Sequence, residues 1–161
     1  ADVSFHIQET NRLLREFNAE FARRWLNFEM RGQTDDPEFM SMMTLLYSRH
    51  VCRLSPWPEE FVFSFSDMNS APFRTMFFSE FLPGGRHRGW SRAADLHRIT
   101  VPTLVLTGEH DLLTPSESWL IHLGIAGSRL RIFADSAHMP FWECPAEHLA
   151  ETETFWKALR S

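Results

Sequence analysis

The sequence predicts an α/β fold in two parts: a helical unit over residues 1–90, then two parallel strands with flanking helices over residues 91–161. Three observations predict it. Val101-Pro-Thr-Leu-Val-Leu-Thr107 is a nearly unbroken apolar run closed by Gly108, the pattern of a parallel strand buried on both faces. Helix signals follow it at once, and then a short alternating segment, which together spell strand, crossover helix, strand. Upstream of Trp90 the apolar residues recur at helical spacing instead.

In order along the chain, Leu13, Leu14, Phe17, Phe21, Trp25, Leu26 and Phe28 predict one helix from about Ser4 to Met30, stopped by Gly32. Asp36-Pro37 starts a second helix, with Phe39, Met42, Met43, Leu46 and Tyr47 on one face. Met40 to Met43 is read as core filler. Ser55-Pro-Trp-Pro58 interrupts, and Glu59 to Met68 predicts a short amphipathic helix. Pro83-Gly84-Gly85 is a loop, and Ser91 to Arg98 a brief helix leading into the strand. Thr114-Pro115-Ser116-Glu117 then opens the crossover helix, with Thr as N-cap, Pro at the first helical position and Glu three residues beyond the cap. Gly124 and Gly127 end it. Arg129 to Phe133 alternates charged and apolar residues, as suits an edge strand. Cys144-Pro145 starts the last helix, whose packing face is Leu149, Phe155, Trp156 and Leu159.

Composition narrows the classes of function. The 161 residues carry a formal charge of −5 and 43% hydrophobic residues, 15 Phe and 6 Trp among them. That is enough for a core, and the charge argues against nucleic-acid binding, which needs clustered Lys and Arg. Arg86-His87-Arg88 reads as a solvated loop. No apolar run approaches the roughly 18 residues of a membrane span, and the N-terminal residues Asp2, His6 and Glu9 leave no room for a secretory signal. Cys52 and Cys144, far apart in sequence, suit a reduced, cytoplasmic protein, with a disulfide between them as the alternative.

The candidate chemistry lies at the strand ends, where ligands of open parallel sheets bind. Asp111 follows the first strand and His138 follows the second. An acid there orients the imidazole and stabilises its charged form, while the other ring nitrogen takes a nucleophile's proton. Asp135 competes as the acid, but it precedes the histidine on the same turn and reads as structural. No metal is expected, because Glu109, His110 and Asp111 are consecutive and cannot all aim at one ion. No cofactor is implied. A nucleophile is not evident: none of the seven glycines brackets a serine in a Gly-x-Ser-x-Gly elbow. The first strand also needs a neighbour on its other side, an open edge that invites a homo-oligomer. The expectation is therefore the second half of a catalytic machine, with the nucleophile and most of the sheet in an N-terminal part absent from this chain.

Val101-Pro-Thr-Leu-Val-Leu-Thr-Gly-Glu-His-Asp111 with Ser136-Ala-His-Met-Pro-Phe-Trp-Glu143 resembles the acid and histidine motifs of α/β-hydrolases. Tyr47-Ser-Arg-His-Val-Cys-Arg53, Pro56-Trp-Pro-Glu59 and Met76-Phe-Phe-Ser-Glu-Phe81 resemble the cap of the proline iminopeptidase family, although the last stretch lacks that family's Gly-Pro. The resemblance spans essentially the whole chain. It implies a partial α/β-hydrolase, a helical cap followed by the last two parallel strands, acting on a peptide or small-molecule substrate through Asp111, His138 and a serine outside the chain. It also implies that Glu80 binds the substrate's free amino terminus. The family's second amine-binding glutamate falls at Leu112, so the ammonium site is weakened here. Two other readings stand beside it: an epoxide, ester or haloalkane hydrolase of the same fold, or a non-catalytic, partner-binding lid fragment.

Overall fold

The structure, a computed structural model, describes residues 1–66, 87 and 89–160. Helix α1 (Val3–Phe17) is capped by Asp2, whose carboxylate accepts the Phe5 N–H at 2.8 Å. The single helix expected to Met30 is in fact two, because Asn18 is extended and its side chain accepts the Phe21 N–H at 2.7 Å. Asn is a strong N-cap, and here it starts α2 (Ala19–Met30) rather than continuing α1. The break lets Phe17 and Phe21 stack at 4.5 Å between ring centres. Helix α3 (Pro37–His50) begins as expected, with Asp36 accepting the Glu38 N–H at 2.8 Å. Helix α4 spans Glu59–Ser66, and its expected continuation to Met68 lies outside the described residues.

Leu13, Leu14, Trp25, Phe39, Met42, Leu46, Cys52 and Phe61 bury one another between these helices. Met42 is thus core, whereas Met40 is exposed. Leu112 is buried in the same cluster, and Met139 and Trp142 pack against it. The loops that follow the two strands are therefore part of the helical unit's core.

The brief helix expected before the sheet is a 3₁₀ helix, Ala93–Arg98. Strand β1 (Leu104–Gly108) pairs in parallel with β2 (Arg129–Phe133), Leu104 opposite Arg129 and Gly108 opposite Phe133. β1 starts three residues later than expected, and Val101 is 66% exposed. The cause is local: Pro102 has no N–H to give, and the ladder opens where Arg129 N–H meets the Thr103 carbonyl at 2.9 Å. Leu104, Val105 and Leu106 are half-buried and only Thr107 and Gly108 are fully covered, so β1 is not enclosed on both faces. Among the described residues the sheet has two strands, and the outer edge of β1 carries no partner.

Crossover helix α5 (Pro115–Gly124) starts where expected, with the Glu117 carboxylate reaching back to the Thr114 N–H at 2.9 Å. A one-turn helix, α6 (Pro140–Glu143), precedes the last helix, α7 (Pro145–Ala158). The packing face expected on α7 is largely open: Leu149 is 59% and Trp156 57% exposed, and Leu159 is exposed too. Two strands offer too little surface to cover it. The helix is instead tied to β2 by Arg129–Glu151 at 3.0 Å and Arg131–Glu147 at 3.2 Å. Among the described residues no helix is long and apolar enough to cross a membrane.

Candidate active site

Gly108 ends β1 against the turn that follows β2. A Cβ at this position would collide with the carbonyls of Ser136 and Ala137. Glycine therefore lets two loops approach backbone to backbone. They are joined there by Glu109 N–H to the Phe133 carbonyl and His110 N–H to the Ser136 carbonyl, both at 2.9 Å.

That contact brings the expected acid and base together. His138 Nδ1 lies 2.9 Å from Asp111 Oδ1. Asp111 is 6% exposed, and its carboxylate also accepts the Leu113 N–H at 2.8 Å and the Thr107 hydroxyl at 3.3 Å. Those donors, with His138, satisfy the buried carboxylate and fix its orientation. The Nδ1–H donated to it makes Nε2 the basic nitrogen of the ring. The His138 side chain is 39% exposed, so the base opens outward while the acid is shielded. Both line a cavity of about 290 Å³ with Thr107, Leu113, Pro140 and Phe141. The arrangement can accept a proton and hold the resulting imidazolium, the work of a general base.

The helical unit holds both loops. His50 Nδ1 donates to the His110 carbonyl at 2.8 Å, and Leu112 N–H returns a bond to the His50 carbonyl at 2.8 Å. His138 N–H donates to the Val51 carbonyl at 3.0 Å. Burial pushes the His50 pKa below its ordinary 6.5 against the raising effect of the His110 carbonyl, so this ring is neutral at neutral pH. From the far side, Thr114 donates its hydroxyl to Glu9 of α1 at 2.8 Å.

Of the other residues singled out in the sequence, Glu109 is exposed and is not brought to the pair. Asp135 is exposed at a left-handed φ of 57°, a turn position. Leu112 is turned into the core of the helical unit. Glu80 lies outside the described residues, as does the rest of the Met76–Phe81 stretch. Cys52 and Cys144 are both free thiols. Among the described residues no cluster of three His, Cys, Asp or Glu side chains could hold a metal ion. Sequence reasoning missed His50 and Glu143, both of which bond backbone groups far away in the chain.

A parallel β–α–β unit with an acid–histidine pair at its carboxyl ends and a helical unit held against those loops is a partial α/β-hydrolase fold. The crystal structure of VinJ superposes with a TM-score of 0.87 at 31% identity, covering 98% of this chain and 54% of that one. The proline iminopeptidase of Mycobacterium smegmatis superposes at 0.82 with 29% identity, covering 96% and 53%. In sequence, the proline iminopeptidase of Saccharolobus solfataricus is 31% identical over 157 residues, 96% of this chain and 51% of the relative. That of Thermoplasma volcanium is 28% identical over 145 residues, 89% and 49%. The chain thus spans about half the length of the relatives it matches. No protein-family model matches it.

Proposed function

We propose that the chain is the cap, residues 1–90, and the C-terminal core portion, residues 91–161, of a serine hydrolase that releases an N-terminal residue, preferably proline, from peptides. The observation that carries this is the Asp111–His138 hydrogen bond of 2.9 Å at the ends of adjacent parallel strands. The near full-chain similarity to proline iminopeptidases supports the choice of substrate class. His138 Nε2 takes the proton of a serine contributed by an N-terminal part, and Asp111 holds the ring and stabilises its charge. Glu80 pairs with the substrate's free amine. The two free thiols suit a reduced, cytoplasmic setting.

By this reading the isolated chain is inactive, because it carries a base without its nucleophile. The test is a fluorophosphonate probe and a prolyl anilide substrate, applied to the chain alone and to the chain joined to its upstream coding sequence. Labelling and turnover are expected only in the joined protein. A His138-dependent adduct on a serine of the isolated chain would overturn the proposal.

Burial of Leu112 supports a second reading. The position where these peptidases place a second amine-binding carboxylate is apolar here and faces inward. A hydrolase of uncharged small molecules, such as an epoxide or ester, needs no such carboxylate. Turnover of blocked esters or epoxides with no response to a free amine would favour it.

A further inference from the structure

A carboxylate that the proton-transfer scheme leaves unused holds the base-bearing turn. Glu143 closes α6, and its Oε2 accepts the Ala137 N–H at 2.8 Å, the Ser136 hydroxyl at 2.9 Å and the Met139 N–H at 3.2 Å. Its other oxygen, Oε1, accepts the Arg53 N–H at 2.7 Å. Donors on both sides of His138 thus converge on one oxygen, while the second reaches the segment just after α3. His138's own N–H points to the same segment, at Val51.

Besides Glu143, the turn is tied by His110 N–H to the Ser136 carbonyl and by His138 N–H to the Val51 carbonyl. It belongs to neither strand nor helix, and it is entered through the left-handed Asp135. Hydrogen bonds to an ionised acceptor are about twice as strong as neutral ones, and four donors converging on one side chain make a multipoint fastening. A displacement of the turn by an ångström would break the 2.9 Å contact between His138 and Asp111.

We infer that Glu143 is the positioning residue of the base. It sets the Ser136–Met139 turn against residues 51–53 so that the imidazole of His138 stays seated on Asp111. The inference rests on the proposed acid–base pair. Glu143 acts through the backbone flanking His138 and takes no part in proton transfer.

The test follows the His138 Nδ1–H resonance and its exchange with water, in the protein expressed from its complete reading frame with ¹⁵N-labelled histidine. Asp111→Ala identifies the resonance by abolishing it. Glu143→Ala should speed that exchange about tenfold or more, the factor carried by a charge-assisted hydrogen bond, while amide protection in α1 to α3 stays as in the parent. Glu143→Gln keeps one oxygen for the turn donors and loses the Arg53 tie, so it should retain most of the protection even if the alanine variant folds poorly. A Glu143→Ala protein with a lowered unfolding midpoint but an unchanged Nδ1–H would overturn the inference alone, reducing Glu143 to a stabilising contact. A parent resonance indifferent to Asp111→Ala would remove the acid–base pair itself, and the proposed function and this inference with it.

Discussion

Gly108→Ala tests whether the approach of the two loops makes the site. The added Cβ would stand 2.5 Å from the carbonyl carbon of Ser136 and closer still to the Ser136 and Ala137 oxygens. Carbon–carbon contacts are comfortable only at about 3.5–4.0 Å. The obstacle is backbone, so no side chain can swing aside, and the loops must separate by about 1 Å. That separation stretches His110 N–H to Ser136 and Glu109 N–H to Phe133 from 2.9 Å past useful hydrogen-bond range. Two lost backbone bonds at about 1 kcal/mol each, with overpacking of about 1–3 kcal/mol, give a destabilisation of about 3–5 kcal/mol. Chemical denaturation of parent and variant measures it, and His138 Nδ1–H exchange reports whether the pair has opened. A variant within about 0.5 kcal/mol of the parent, the range of an ordinary surface substitution, would refute the claim that backbone proximity at Gly108 builds the site.

Further outcomes follow from the same geometry. In a protein joined to the proposed N-terminal part, His138→Ala should abolish turnover and Asp111→Asn should lower kcat by about 10⁴, as loss of triad members does in serine proteases. Stopped-flow or steady-state assays decide. Glu80→Gln should raise KM for substrates with a free amino terminus and leave blocked substrates alone, since a binding charge acts on ground and transition states alike. Equal effects on both would remove Glu80 from the amine site. Stability should fall with acidification through His50: its folded pKa lies below its ordinary 6.5, so the unfolded chain binds the proton first. The contribution is complete above 6.5 and is lost as pH drops towards the folded value. Unfolding midpoints between about pH 7.5 and 5 should decline less in His50→Asn, which keeps a donor for the His110 carbonyl; identical slopes would exclude His50 as the source. The isolated chain should self-associate through β1, whose outer edge has no partner among the described residues. Covering one face of this strand removes on the order of 100 Å² of apolar surface, worth about 2–3 kcal/mol. A monodisperse monomer by light scattering, with strong amide protection across β1, would contradict the half-enzyme proposal.

The β1–α5–β2 unit was legible because each local signal agrees with the next: an apolar run, a Thr-Pro-x-Glu start, glycines at the stop, an alternating edge. Asp36-Pro37 marked α3 for the same reason. The Asn18 break was not legible, since an asparagine inside a helical pattern is tolerated until a turn places its side chain on a following N–H. The face of α7 misled in the opposite direction. Leu149, Trp156 and Leu159 have the right spacing for burial, but spacing states only what a helix is suited to cover. Asp111 and His138 stood out because strand ends gather chemistry. His50 and Glu143 did not, because each serves peptide groups 60 or 90 positions away in sequence, and no pattern in the chain reports such a partner.

The hydrogen bonds around residues 50–53 bear on how the helical unit can move. His50 and Val51 bind the loops of both the acid and the base, and Arg53 reaches the carboxylate behind the base. If this segment moved away from the two loops, the bonds that hold the acid and the base loops to it would break. Leu112, buried among the helices, would have to leave an apolar core at the same time. Opening that preserves the pair must therefore hinge elsewhere, with α3 and the two loops moving as one body. The end of α3 is then better regarded as a wall of the site than as part of a door. By the proposed function, substitutions there should act on kcat through the geometry of the pair, and those in a part of the helical unit that moves should act on substrate entry and KM.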